Sequence, residues 1–151
     1  MKALLIYDSI FGNTEKVAKA LSSGMREKGI EVDCVRANAV EIGTLSNYDM
    51  LVIGGPTHKI GLSETMKTLT KQLKKADVKN KLAFAFDTRY NKRFAGSAAS
   101  RIEQRMKQYG MKVVMSHQSA IVVGREGPLE DGTGERFKQI GAELARLAVA
   151  S

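Results

Sequence analysis

Lys2-Ala3-Leu4-Leu5-Ile6-Tyr7-Asp8-Ser9-Ile10-Phe11-Gly12-Asn13-Thr14-Glu15 runs an apolar stretch of strand length into a short polar loop around one glycine, and residues 14 to 28 continue with helical spacing. Val17, Leu21 and Met25 recur every fourth residue, which puts an apolar stripe on one face of that helix. A strand, a tight loop and a covering helix make the opening of a parallel βαβ unit. The run 2–7 is stopped by Asp8 with no small-residue cleavage site after it, so it reads as a buried strand and not as a signal peptide.

The same alternation continues along the chain. Strands are predicted at Lys2–Tyr7, Glu31–Arg36, Asp49–Gly54, Leu82–Asp87 and Val113–Ser116, the last continuing at Ala120–Val123. Helices are predicted at Thr14–Lys28, Ser63–Lys75, Ser97–Tyr109 and Glu135–Ala150, with Ile102 and Met106 repeating the fourth-residue spacing. Gly29, Gly110 and the pair Gly54-Gly55 fall where elements should end. Asn38–Asn47 is the loosest stretch and reads as a short connection. With no repeat, linker or low-complexity tract, residues 1–151 read as one α/β domain.

Composition narrows the class. At 151 residues the chain buries roughly 70% of its unfolded surface as one domain. Its 43% hydrophobic and 26% charged content is that of a globular protein. No stretch is long enough to cross a bilayer, and a cytoplasmic location is expected. The lone Cys34 sits in an apolar stretch and reads as a packed thiol. A net charge of +8 attracts anionic partners.

The loop 8–15 suits a phosphate. Backbone N–H groups freed at a helix N-terminus favour an anion, and Ser9, Asn13 and Thr14 add neutral donors. The helix dipole alone supplies about 0.3–1 kcal/mol, so convergent donors must provide most of the affinity. Neither GxxxxGK[ST] nor GxGxxG is present, which disfavours nucleotide triphosphates and dinucleotides. A plain capping role for Ser9 and Asn13 is the alternative. Asp8 would repel a phosphate, so its carboxylate is expected to point away.

Ligands of open α/β sheets bind beyond the carboxyl ends of the strands at the switch in strand order, where the first, third and fourth strands should meet. There Gly54-Gly55-Pro56-Thr57-His58-Lys59-Ile60-Gly61 and Asp87-Thr88-Arg89-Tyr90-Asn91-Lys92-Arg93-Phe94-Ala95-Gly96 supply bare backbone, hydroxyls, an imidazole and aromatics. His58 and His117 are the only histidines and no Cys or carboxylate cluster has ligand spacing, which argues against a metal.

On these motifs the chain resembles a short-chain flavodoxin over essentially its whole length. Ser9-Ile10-Phe11-Gly12-Asn13-Thr14 matches the family's [ST]xTGxT phosphate loop at all but one place. Gly127-Pro128-Leu129-Glu130-Asp131-Gly132 is similar to archaeal-type members, and the Tyr7-Asp8-Ser9 start to flavodoxin modules fused to di-iron oxygenases. The resemblance implies a flavodoxin-like α/β fold, a five-stranded parallel sheet of order 2-1-3-4-5 with helices on both faces. It implies FMN as cofactor. Ser9, Phe11, Gly12, Asn13 and Thr14 would surround its phosphate. Pro56, Thr57, His58, Lys59, Ile60 and Gly61 would lie along one flavin face, and Thr88, Arg89, Tyr90 and Gly96 along the other. Asp87 would cap or order that last loop.

Two departures stand out. Phe11 replaces a threonine and removes a hydroxyl donor, and the absence of tryptophan leaves His58 or Ile60 to cover one face while Tyr90 stacks on the other. The resemblance also implies that a peptide around Ile60-Gly61 flips on flavin reduction, since glycine tolerates both backbone states. Flavodoxins are typically acidic, whereas Lys59, Arg89, Lys92 and Arg93 stand in these loops. The expected function is therefore a less strongly reducing electron carrier between redox proteins, with acidic partners and neither membrane nor nucleic acid among them. An FMN-dependent NAD(P)H:quinone-type reductase is one alternative. A flavin-free binding module is the other, using a basic surface such as the row Lys67, Lys71 and Lys74.

Overall fold

The computed structural model describes residues 1–58, 61–90 and 96–151. The apolar runs become strands and the striped segments become helices in the order β1 (Lys2–Tyr7), α1 (Asn13–Glu27), β2 (Glu31–Arg36), β3 (Met50–His58), β4 (Gly61–Leu62), α2 (Glu64–Lys74), β5 (Leu82–Tyr90), α3 (Ala98–Gln108), β6 (Lys112–Val113), β7 (Gln118–Val122) and α4 (Thr133–Ala150). The connection 37–47 forms two 3-10 turns, Ala37–Ala39 and Ile42–Asn47.

The sheet order is β2-β1-β3-β5-β6, with every pairing in this path parallel. This is the expected 2-1-3-4-5 order and the expected α/β class. The count of five is corrected to seven strands among the described residues. Gly61-Leu62 folds back antiparallel on Thr57 and His58 as β4. The fifth strand is split: β6 pairs the start of β5 and β7 pairs its end, and after the Val114 N–H donates to the Ala83 carbonyl the chain leaves the ladder over residues 115–117. β3 and β5 also run past their predicted ends, because Gly55 and Pro56 pair with Asp87 and Thr88.

Two apolar layers cover the two sheet faces. Leu5, Val52, Phe84 and Phe86 meet Val17, Leu21 and Met25 of α1 and Phe137 and Leu144 of α4 on one side. Leu4, Ile6, Ile53 and Ala85 meet Met66, Leu69 and Leu73 of α2 and Ile102 and Met106 of α3 on the other. Each fully buried Leu, Ile or Phe contributes about 1.5–3 kcal/mol relative to exposure. β1, β3 and β5 are buried on both faces, as a central parallel strand requires.

Helices α1 and α4 touch through backbone. A Cβ added at Gly24 would come within 1.9 Å of the Lys138 carbonyl oxygen, and one at Gly141 within 2.2 Å of that of Leu21. Only glycine permits so close an approach.

Cys34 does not pack in the core. β2 is an edge strand with only Val32 buried, and the Cys34 thiol is exposed, with Sγ 2.8 Å from Ser22 Oγ.

Candidate functional site

The carboxyl ends of β1, β3, β5 and β7 open on a cavity of about 400 Å³, within the size of small-molecule sites. Its walls are Ser9, Ile10, Phe11, Asn13 and Thr14 after β1, Pro56, Thr57 and His58 at the end of β3, Thr88, Arg89 and Tyr90 at the end of β5, and Val122 with Arg125 after β7. The switch in strand order lies here, since the chain leaves β1 toward β2 and returns on its other side as β3.

The first loop is held open by its own hydrogen bonds. Gly12, the residue before α1, has φ of 88°, a left-handed conformation that a side chain would strain. Ser9 Oγ accepts from the N–H groups of Gly12 at 3.1 Å and Glu15 at 3.3 Å. The N–H groups of Asn13 and Thr14 have no intrahelical acceptor and find none among the described residues. Both residues are buried, at 8% and 2% exposure. Two unused donors at a largely buried helix start, with small hydroxyls around them, suit a phosphate oxygen.

Three side chains tie the loops together. Thr14 Oγ1 lies 2.9 Å from Thr88 Oγ1 in a buried contact. Asn13 Nδ2 donates to the Glu126 carbonyl at 3.1 Å, which brings the 124–132 segment over the loop. Asp87 is fully buried, and its Oδ2 accepts from Ser97 Oγ at 2.7 Å, the Ala99 N–H at 3.0 Å and Thr57 Oγ1 at 3.2 Å. A carboxylate at the start of α3 is also favoured by the helix dipole. Asp87 thus holds the β3 and β5 ends and α3 in one arrangement without lining the cavity.

The electrostatics favour an anion. Arg89 and Arg125 line the cavity, and no carboxylate does among the described residues. Asp8 turns away, accepting from Ser63 Oγ at 2.7 Å at the start of α2. Arg36 braces the outer side, donating to the Ser9 carbonyl at 3.3 Å and to Glu15 Oε2 at 2.8 Å.

The structure brings Ser9, Phe11, Asn13, Thr14, Pro56, Thr57, His58, Thr88, Arg89 and Tyr90 to one cavity, with Gly12 shaping its floor. Gly61 lies in β4 on a neighbouring groove, and Gly96 is half-buried just before Ser97, the N-cap of α3. Lys59, Ile60, Asn91, Lys92, Arg93, Phe94 and Ala95 lie outside the described residues, so the calls on Lys59, Ile60, Lys92 and Arg93 do too. Ile10, Val122 and Arg125 are wall residues that sequence reasoning missed. Ile10 sat inside the quoted loop, but nothing local marks Val122 or Arg125. No helix among the described residues is long and apolar enough to cross a membrane, and no group of three or more His, Cys, Asp or Glu among them could hold a metal.

Comparison with known proteins places the fold in a family. The flavodoxin family model matches residues 5–140. A flavodoxin of Clostridium saccharobutylicum is 33% identical over 89 residues, covering 58% of this chain and 56% of that protein. A flavodoxin of Maridesulfovibrio salexigens is 31% identical over 120 residues, 75% of this chain and 81% of its own. The chain spans 37% and 34% of the length of two further curated relatives. In structure, a flavodoxin from the domain Archaea superposes with a TM-score of 0.85 at 22% identity, covering 99% of both chains, which is a likeness of fold. With the family model spanning most of the sequence, the chain belongs to the flavodoxin family, whose members bind FMN and transfer electrons.

Proposed function

We propose that this chain shuttles single electrons between protein redox partners by holding FMN in the cavity at the ends of β1, β3, β5 and β7. The observation that carries the reading is the pair of unused N–H groups at Asn13 and Thr14, set in a buried, carboxylate-free wall with Ser9 and Thr14. Those groups would hold the phosphate, and Gly12 would let the backbone approach it. Pro56, Thr57 and His58 would bound one face of the ring system, joined by Lys59, Ile60 and Gly61. Thr88, Arg89 and Tyr90 would bound the other, with Gly96 at the far end of that loop. Tyr90 offers apolar area with a polar edge, which suits stacking on a flavin. Asp87 would fix this wall from behind.

When bound, FMN supplies the one- and two-electron redox chemistry, and the protein sets its binding, orientation and surrounding charge. No nucleophile or triad is needed for that role. Thr14 and Thr88 would keep the phosphate loop and the β5 end in register, and Phe11 would contribute its main-chain N–H where a threonine would add a hydroxyl. The reading includes a cytoplasmic, one-domain carrier with acidic partners, matched to the +8 charge of the chain.

A spectrum tests it. Flavin absorbance retained after FMN is added and the excess removed is the expected result. Flavin reduction by NAD(P)H should be negligible until a reductase is added; direct turnover would favour the reductase reading, and an unaltered apoprotein spectrum would refute the assignment.

A further inference from the structure

Positive charge is not spread evenly over the fold. On the α1/α4 side carboxylates answer about half of it: Lys19 and Arg36 pair with Glu15, Lys138 with Glu27 and Arg146 with Glu143, whereas Lys16, Arg26 and Arg136 form no ion pair among the described residues. Across the sheet, a groove of about 1150 Å³ between α2 and α3 is lined by Lys67, Lys71, Lys74, Lys75, Arg101 and Arg105, against two carboxylates. Both of these are engaged, Asp8 by Ser63 and Glu64 by Lys67. All six cations are exposed, and apart from Lys67 none forms an ion pair among the described residues.

The groove runs into the cavity mouth. Ile10 and His58 border both. Arg101 approaches β4, where a Cβ added at Gly61 would meet its Nε at 3.0 Å. At the mouth, Ile10 and Phe11 of the loop after β1 are 59% and 48% exposed. An exposed apolar pair at the end of a row of cations, five of the six without an ion pair among the described residues, has the anatomy of a protein docking face: desolvated contact supplies adhesion, while charge supplies steering and register.

We infer that the α2/α3 groove, with Ile10 and Phe11 at its mouth, docks an acidic redox protein whose carboxylates engage the six cations. The inference rests on the electron-carrier reading, since it is the cavity at the mouth that gives the docking a purpose. An RNA would use the cations and could stack a base on Phe11, yet it has no call on the aliphatic Ile10 or on a redox cofactor beside it, so an acidic redox protein accounts for more of the surface.

The probe is the haem domain of cytochrome b5, an acidic protein, titrated into the 15N-labelled, FMN-loaded chain, with basic cytochrome c as the counter-probe. Amide shifts are expected along α2, α3 and residues 10–11 with cytochrome b5 and not with cytochrome c. Binding should weaken about tenfold or more as salt rises from about 0.01 to about 1 M and the Debye length falls from ~30 to ~3 Å. Lys71→Glu with Arg105→Glu should weaken it about tenfold or more, while Lys28→Glu with Lys112→Glu, exposed sites away from the groove with the same change of net charge, should cost less than about threefold.

Equal losses in the two double variants, shifts confined to other faces, or tighter binding of single-stranded RNA than of cytochrome b5 on the same residues would overturn the inference. FMN retention, read from the absorbance of the same sample, reports on the carrier reading separately. Docking without flavin uptake would sink that reading and leave the surface, whereas flavin uptake without docking would do the reverse.

Discussion

Thr14 and Thr88 share one buried hydrogen bond, 2.9 Å between their hydroxyl oxygens, that joins the first turn of α1 to the end of β5. Thr14 to valine keeps the shape and removes the hydroxyl, leaving that of Thr88 without its partner. A buried polar group left unpaired costs about 1–3 kcal/mol. Thr14→Val is therefore expected to lower the urea unfolding free energy by that amount in the apoprotein. Combined with Ser9→Ala, it should weaken FMN binding by about tenfold or more, read by fluorescence titration, if those hydroxyls serve the phosphate. Unchanged affinity in the double variant would put the phosphate elsewhere.

Asp87 makes a related prediction through a different balance. Its Oδ2 collects three donors from Thr57, Ser97 and Ala99, and Thr57 Oγ1 in turn accepts from the Ala98 N–H. Asp87→Ala strands those donors in a buried place and should cost about 3–5 kcal/mol in thermal or urea unfolding. Asp87→Asn keeps an acceptor at the same position and should recover at least half of that loss. Equal losses in the two variants would show that the side chain matters for its charge and not for its geometry.

The close contact of α1 with α4 inverts the usual effect of a helical glycine. An exposed mid-helix Gly→Ala gains about 1 kcal/mol from backbone propensity. At Gly24 and Gly141 the added methyl would sit about 2 Å from a carbonyl oxygen of the other helix, and backbone cannot move aside as a flexible side chain can. Each alanine variant is expected to destabilise by about 1–3 kcal/mol or more. Gly134, whose added Cβ would meet nothing within 4 Å, is the control and should not lose stability through contact. A neutral Gly24→Ala would mean that the helices stand further apart than described.

Glu103 gives the stability a pH dependence far from the cavity. Burial pushes its carboxyl pKa up, but the hydrogen bonds from the His117 ring and N–H, together with the charges of His117 and Lys107, outweigh this and hold it below the ordinary 4.5. A carboxyl lowered on folding contributes stability that is present above the unfolded value and is lost as pH falls through the folded one. The Glu103 contribution should therefore be complete at neutral pH and disappear below 4.5. Urea midpoints should fall over that acid window in the native chain, with a smaller slope in Glu103→Gln. Identical slopes would exclude the pairing as the source.

How far the sequence speaks for itself differs from element to element. β1 was legible to the residue as an apolar run stopped by Asp8, and β2 as a short segment of strand formers that starts after Gly29. The ends of β3 and β5 were not: Pro56, Thr57, Thr88 and Arg89 look like loop by local polarity, yet pairing between neighbouring strands carries the ladder through them. Cys34 was misread for a similar reason, since strand periodicity does not tell an edge strand from a central one. Within the site, the loop 9–14 announces itself by its small polar residues beside a helix. Arg125 does not, because it comes from a distant turn whose placement depends on the bond from Asn13 to the Glu126 carbonyl.

That unannounced arginine sharpens the expectation for the redox potential. The two-electron-reduced cofactor carries negative charge, so a nearby cation stabilises it and raises the potential of the lower couple. A unit charge about 8 Å away at an effective dielectric near 20 is worth on the order of 2 kcal/mol, and about 59 mV corresponds to a tenfold change for a one-electron couple. Arg125 is exposed and Arg89 half-buried, so screening by salt reduces the effect of each, more for Arg125. Arg89→Gln should lower the lower-couple potential by several tens of millivolts at low salt and Arg125→Gln by less, with the gap between variant and native protein closing as salt rises. Spectroelectrochemical titration of the three proteins at two ionic strengths measures this directly. A potential as low as that of acidic flavodoxins in the native chain, or one that ignores both substitutions, would show that charge in these walls does not govern the cofactor.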